Sequence, residues 1–234
     1  MRKSSPLLLA GSLLACSSWA QADPFVGPSI SLGASLAGIQ HQVSNEEIYK
    51  LFITISNGNP NMSSGNDFRA SLLPVIDMNW QWQMAPKWVA GIGVEYEAGK
   101  RTSGESIVSY IPLTGSQTLT LTLKNHTAVY GTIGRKWGEN WLVSGKLAYH
   151  EANAESAYRF RTTPTWMDNI QSKKVKGYGI GLGLTRNWKD GLELQFEGEY
   201  VQFANINHSI TNTISDFSTK PSMTRFNAKV GYRF

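Results

Sequence analysis

The stretch M-T-R-F-N-A-K-V-G-Y-R-F, Met223 to Phe234, places Phe226, Ala228, Val230, Tyr232 and Phe234 at alternate positions, with Arg225, Asn227, Lys229, Gly231 and Arg233 between them. In a strand the two sets point to opposite faces, so one face is apolar to its last residue and the other carries three cations. A soluble sheet buries its apolar face against a core and rarely ends on a bare aromatic side chain. A strand with lipid outside and a wet, charged interior satisfies both faces.

The terminal Phe234, the aromatic Tyr232 two residues earlier and the alternating Phe226, Ala228 and Val230 resemble the C-terminal assembly signal of bacterial outer-membrane β-barrels. The V-G-Y-R-F ending is also similar to that of small OmpX/Ail-like barrels, a group allied to the OmpA transmembrane and opacity-protein barrels. The resemblance implies export to the cell outer membrane of a Gram-negative bacterium and recognition by the barrel-assembly machinery in the periplasm.

At the other end, Arg2 and Lys3 precede an apolar run from Leu7 to Ala15 and then Ala20-Gln21-Ala22, the small-x-small pattern of signal cleavage. The expected division is a signal peptide over 1–22, cut between Ala22 and Asp23, and a barrel domain over 23–234. Leu13-Leu14-Ala15-Cys16 also resembles a lipoprotein box, but Leu14 is unusual there and a barrel carries its own anchor. Cys16 is the only cysteine, so a chain cut after Ala22 has no disulfide or thiol chemistry. No apolar run approaches the ~20 residues of a membrane helix. The net charge of +5 loses two units with Arg2 and Lys3, too little to argue for nucleic acid.

Alternation predicts an all-β, up-and-down antiparallel transmembrane barrel of eight strands, with short periplasmic turns near 84–87, 135–140 and 189–191 and four long outer loops near 41–66, 99–117, 151–174 and 204–222. A bulge or weak spot is expected at Pro74, which cannot donate to a ladder. On the fourth strand Leu119, Leu121, Leu123, Val129 and Ile133 share a face expected outward, opposite Lys124, His126 and Tyr130. Trp80, Trp82, Trp88, Trp137, Trp141 and Trp188 flank the short turns, as a periplasmic aromatic girdle requires. Trp88 to Tyr96 and Trp141 to Tyr149 repeat one spacing, eight residues, or ~20 Å of membrane normal. Strands at 47–56 and 105–112 would raise the count to ten, but would move the 84–87 turn outside and strand the tryptophans.

The inward positions collect Asp77, Glu95, Glu97, Glu193, Glu197 and Glu199 against Arg69, Lys124, Lys146, Arg225, Lys229 and Arg233. An eight-stranded barrel is filled by such side chains, which reads as a salt-bridged plug; a narrow porin-like channel with a charged lumen is the alternative. A lipid-modifying enzyme is a further alternative. The His-x-Ser of outer-membrane phospholipases and lipid A deacylases is absent at His41, His126, His150 and His208, and His150 with Glu151 and Glu155 only loosely resembles an omptin rim. No pattern calls for a metal or cofactor. Lys100-Arg101, Arg159, Arg161 and Lys173-Lys174 put cations near the outer rim, where outer-membrane lipid and lipopolysaccharide phosphates lie, with Tyr158, Phe160, Trp166 and Met167 beside them. The expected product is a non-enzymatic, monomeric surface antigen, structural or adhesion-related, whose loops meet an envelope or host protein.

Overall fold

The computed structural model describes residues 23–44, 69–111, 115–161, 166–188, 191–208 and 217–234. The expected signal segment 1–22, with Cys16, and the segment 47–56 lie outside them. Ten strands follow in order: β1 (Gly27–Ser44), β2 (Ala70–Ala85), β3 (Trp88–Thr102), β4 (Ser106–Ile111), β5 (Gly115–Trp137), β6 (Trp141–Arg161), β7 (Trp166–Asn187), β8 (Leu192–Phe203), β9 (Ile206–His208) and β10 (Phe217–Arg233).

Eight of them close one antiparallel barrel in the order β1, β2, β3, β5, β6, β7, β8, β10, and β10 returns to β1 through a ladder from Ser29 opposite Arg233 to Ser44 opposite Ser218. β4 pairs with the upper end of β5, and β9 with the upper end of β10. Both lengthen hairpins above the barrel without widening it, so the 105–112 region does contain a strand and the barrel still counts eight.

Within the membrane band the alternation faces lipid as expected. Leu32, Ile76, Ile92, Val129, Leu147, Ile180, Phe226 and Val230 are exposed on the outer wall, as are Tyr232 and Phe234. Trp80, Trp82, Trp88, Trp137 and Trp188 are exposed around the end with the short turns, and Arg186 lies 5.2 Å from the half-buried Trp141 ring. At the other border Tyr149 and Tyr178 meet edge to face at 5.6 Å.

Above the tyrosines the pattern inverts. Leu119, Leu121, Leu123, Ala152, Ala154 and Val175 are buried inside, whereas Thr118, Thr120, Lys124 and Glu155 lie on the wetter outer wall. Residues 99–117 and 151–174, expected as loops, therefore include long strand extensions: β5, β6 and β7 run for 23, 21 and 22 residues, about twice what a membrane crossing needs.

The expected outward placement of Leu119, Leu121 and Leu123 is corrected by a bulge. The β5–β6 register shifts between Lys124 and Thr127, where Asn125 adopts a φ of 51°. A matching shift between Glu97 and Lys100 on β3 contains Gly99 at φ 120°. The extra residue in β5 swaps its faces, sending the leucines in and leaving Val129 and Ile133 out, whereas β3 keeps its odd positions inward on both sides, from Glu95 and Glu97 to Arg101 and Ser103. Of the two outcomes expected at Pro74 the weak spot forms and the bulge does not. The β2–β3 ladder stops beside it, at Val75 opposite Glu97, and its shift lies between Gln83 and Ala85.

Candidate functional site

Three layers fill the lumen. At the turn end, the segment before β1 folds inward as an Asx turn, the Phe25 amide donating to Asp23 Oδ1 at 3.1 Å. Phe25 is fully buried against Val89 and Leu142. Lys136 pairs with Asp23, Asn187 Nδ2 donates to Pro24 O at 2.6 Å, and Arg233 Nη1 donates to Gly27 O at 2.7 Å.

The middle layer is ionic. Tyr130 donates to Asp77 Oδ2 at 2.7 Å, and Lys229 lies 3.3 Å from Asp77 and 3.4 Å from Glu95. Arg225 joins Glu95 to Glu199, its Nε donating to Glu199 Oε2 at 2.9 Å. Lys146 contacts Glu197 at 2.7 Å and Glu199 at 3.3 Å, 4.4 Å from the Tyr130 ring centre. Arg233 holds Glu193. Next to this network His126 Nε2 and His150 Nδ1 are 2.9 Å apart, and His150 Nε2 lies 2.8 Å from Glu199 Oε1. Gly179 makes room for that last contact, because a Cβ there would strike both Glu199 and His150.

The top layer is apolar. Ile39, Leu121, Leu123, Val201, Phe203 and Met223 pack there with Ile206 of β9 as a cover. Among the described residues buried side chains thus meet at three heights of the lumen.

The structure brings ten of the twelve expected lumen charges together and moves two. Arg69 is exposed at the outer end before β2, and Lys124 faces outward, 2.5 Å from Glu155. Both departures follow from position: Arg69 precedes the strand, and the β5 bulge turns Lys124 over. The sequence reading missed Arg101, assigned to the outer rim. It is buried, donates to Glu97 at 2.6 and 2.7 Å and to Ser35 O at 2.9 Å, and also reaches Ala37 O and Ser71 O. It bridges β3 to β1 and β2 where the β2–β3 ladder has ended. Its signal was the spacing Glu97 to Arg101 across Gly99, a bulge-forming residue. Six carboxylates thus face five cations, with both histidines beside them.

On the β8–β10 ladder direct opposition of acid and base is confined to Arg225 with Glu199; Lys229 stands opposite Gln195 and Asn227 opposite Glu197. In a lumen this narrow the long side chains meet across the barrel as readily as along the wall. The omptin-like grouping does not assemble, because His150 points inward while Glu151 and Glu155 pair with Lys174 and Lys124 outside. Tyr158, Phe160, Arg161, Trp166 and Met167 have side chains outside the described set.

A closed antiparallel barrel, apolar outside and ionic within, defines an outer-membrane barrel protein. The chain belongs to the outer membrane protein beta-barrel domain family, whose model matches residues 7–234. Among solved structures it is similar to Ail, the attachment invasion locus protein of Yersinia pestis, with 11% identity over 88% of this chain and 99% of that one and a TM-score of 0.41. It is also similar to the outer membrane protease OmpT of Escherichia coli, with 11% identity, coverage of 93% and 99% and a TM-score of 0.47. OprG of Pseudomonas aeruginosa matches at 8% identity, 90% and 97% coverage and a TM-score of 0.38. No curated protein matches the chain.

Proposed function

We propose that the chain is a sealed, non-enzymatic surface barrel of the Gram-negative outer membrane, which presents its β4–β5 and β6–β7 hairpins to envelope or host partners. The observation that carries this reading is the filled lumen. An ionic layer closed by an apolar layer above it gives water and ions no continuous path, and an apolar fill is costly to hydrate. The working surface is then outside, on strands that rise roughly 30 Å beyond the outer tyrosines.

Two measurements test it. Planar-bilayer recordings of the refolded barrel should be silent, and steady currents would favour the channel instead. Lipid A and phospholipid mass spectra from cells with and without the chain should match; a new deacylated or transacylated species would make it an enzyme. Removing Phe234 should lower the heat-modifiable fraction in outer membranes, as expected of an assembly signal.

A further inference from the structure

Above the ionic layer the barrel divides into two sheets. The β2–β3 ladder ends at Val75 opposite Glu97, and the β7–β8 ladder ends at Gly177 opposite Phe203. Beyond those points β2, β1, β10 and β9 stay paired with one another, as do β3, β4, β5, β6 and β7. The apolar layer is drawn from both sheets, Ile39 and Met223 from the first and Leu121, Leu123 and Val175 from the second.

The two seams are held differently. On the β7–β8 side the ladder reaches Phe203, itself part of the apolar layer, and Ala204 N donates to Lys176 O at 2.8 Å beyond it. Backbone bonds therefore join the sheets beside that layer. On the β2–β3 side, among the described residues, side chains alone cross above Val75. Leu73 lies on Gly99, where an added Cβ would come within 2.8 Å of its Cδ2. Arg101 makes the polar contacts: from β3 its guanidinium donates to Ser35 O at 2.9 Å and Ala37 O at 3.3 Å on β1, and to Ser71 Oγ at 3.0 Å and Ser71 O on β2. Glu97 holds it from below at 2.6 and 2.7 Å. One buried ion pair thus stands where a ladder of backbone bonds stands elsewhere, and its desolvation offsets much of what its contacts contribute.

We propose that Arg101 is a clasp. When its guanidinium leaves the β1 and β2 oxygens, the two upper sheets part along the β2–β3 seam and hinge on the β7–β8 side. The apolar layer is uncovered while the ionic layer beneath stays closed, because Arg225, Lys146 and Lys229 sit on strands paired on both sides. Opened, the cleft offers an apolar surface that the closed molecule hides.

The test is thiol labelling of the refolded barrel carrying Cys16→Ser, which leaves no native cysteine. Ala154→Cys reports the apolar layer and Ala148→Cys, on the same strand, the level of Lys146 and Tyr130. With Arg101 in place, a small water-soluble maleimide should reach Ala154→Cys faster than Ala148→Cys, since the upper sheets open locally and the lower barrel only with global unfolding. Arg101→Gln should speed the reaction at Ala154→Cys by roughly tenfold or more, the loss of a multiply bonded charged donor, and leave Ala148→Cys unchanged. Equal rates at the two positions with Arg101 in place overturn the clasp, whether or not Arg101→Gln folds. A heat-modifiable Arg101→Gln barrel with an unchanged rate at Ala154→Cys overturns it too. So does one that speeds both positions alike, which is a barrel loosened throughout.

Discussion

Arg225 is the residue on which the ionic layer depends, since it is fully buried and holds Glu95 and Glu199 from opposite sides. Truncating it takes the guanidinium from two buried carboxylates and leaves Glu95 to Lys229 and Glu199 to Lys146 and His150, a loss of about 3–5 kcal/mol when one partner of a buried pair is removed. Arg225→Ala should lower the urea midpoint of the detergent-folded barrel accordingly, and Arg225→Ala with Glu95→Gln and Glu199→Gln should recover part of it. An unchanged midpoint in the single variant would mean that the carboxylates find other partners. His208 offers a second test, above the membrane. Burial, with Lys173 and then His41 adding repulsion, pushes its pKa down to about 4, and its Nε2 lies 3.0 Å from Thr219 Oγ1. A histidine whose folded pKa is depressed binds its proton more readily unfolded, so its contribution is complete above the unfolded value near 6.5 and is lost as pH falls from there to about 4. Protection factors at the Ile206 and His208 amides, taken relative to intrinsic exchange at each pH, should fall over that window, and His208→Gln should flatten the profile. The reach of the sequence also shows at this scale. Glu193 and Arg233 were legible as interior charges because their strands alternate without interruption. Lys124 was not, because it lies past a bulge that swaps the faces of β5, and Arg101, which keeps the inward parity of Glu95 and Glu97, was lost in a segment that reads as a loop.

At the scale of elements, the membrane crossings were written plainly, since lipid demands an apolar outer face and the turns carry their own glycine and tryptophan marks. The upper half of β5 was legible where Asn125 and Thr127 interrupt its outer face, but the other upper extensions were hidden by the inversion of that rule. In water β6 turns Ala152, Ala154 and Ser156 inward and Glu151, Asn153 and Glu155 outward, so the same fold looks polar and loop-like in sequence. The T-L-T-L-T-L run of β5 is the sharpest case, because its leucines continue the parity of Val129 and Ile133 and only the bulge sends the two groups to opposite faces. That bulge is therefore an organising feature, and Asn125 is its costly residue. Asn125→Gly should be tolerated or mildly stabilising, since glycine adopts a positive φ freely. Asn125→Val should lose roughly 1–3 kcal/mol, a branched side chain being strained there. Equilibrium unfolding of the pair measures the difference. If valine proves as stable as glycine, β5 has shifted register, and Leu119, Leu121 and Leu123 should then become accessible to apolar labelling from outside.

On the proposed reading the seals stand in series across the whole molecule: Phe25 with Val89 and Leu142 at the turn end, the Arg225-centred ion pairs in the middle, and Phe203 with Leu121, Leu123 and Met223 above. Resistances in series are set by the largest, so breaching one layer leaves the barrel shut. Phe25→Ala alone should therefore remain electrically silent while costing about 3–5 kcal/mol of stability, the usual loss for a buried phenylalanine. Phe203→Ala alone should behave in the same way. The ionic layer tolerates water better than the apolar ones, because charged groups that lose a partner are solvated readily, whereas an apolar cavity stays dry. The combination Phe25→Ala, Phe203→Ala and Leu123→Ala takes the bulkiest side chains out of the apolar layers above and below and thins them on both sides of the ionic layer. That triple variant should show small, flickering, salt-dependent currents in a planar bilayer if it still folds, as its heat-modifiable band reports. Currents from Phe25→Ala alone would instead locate the principal seal at the turn end and reduce the apolar core to a support for the extended hairpins.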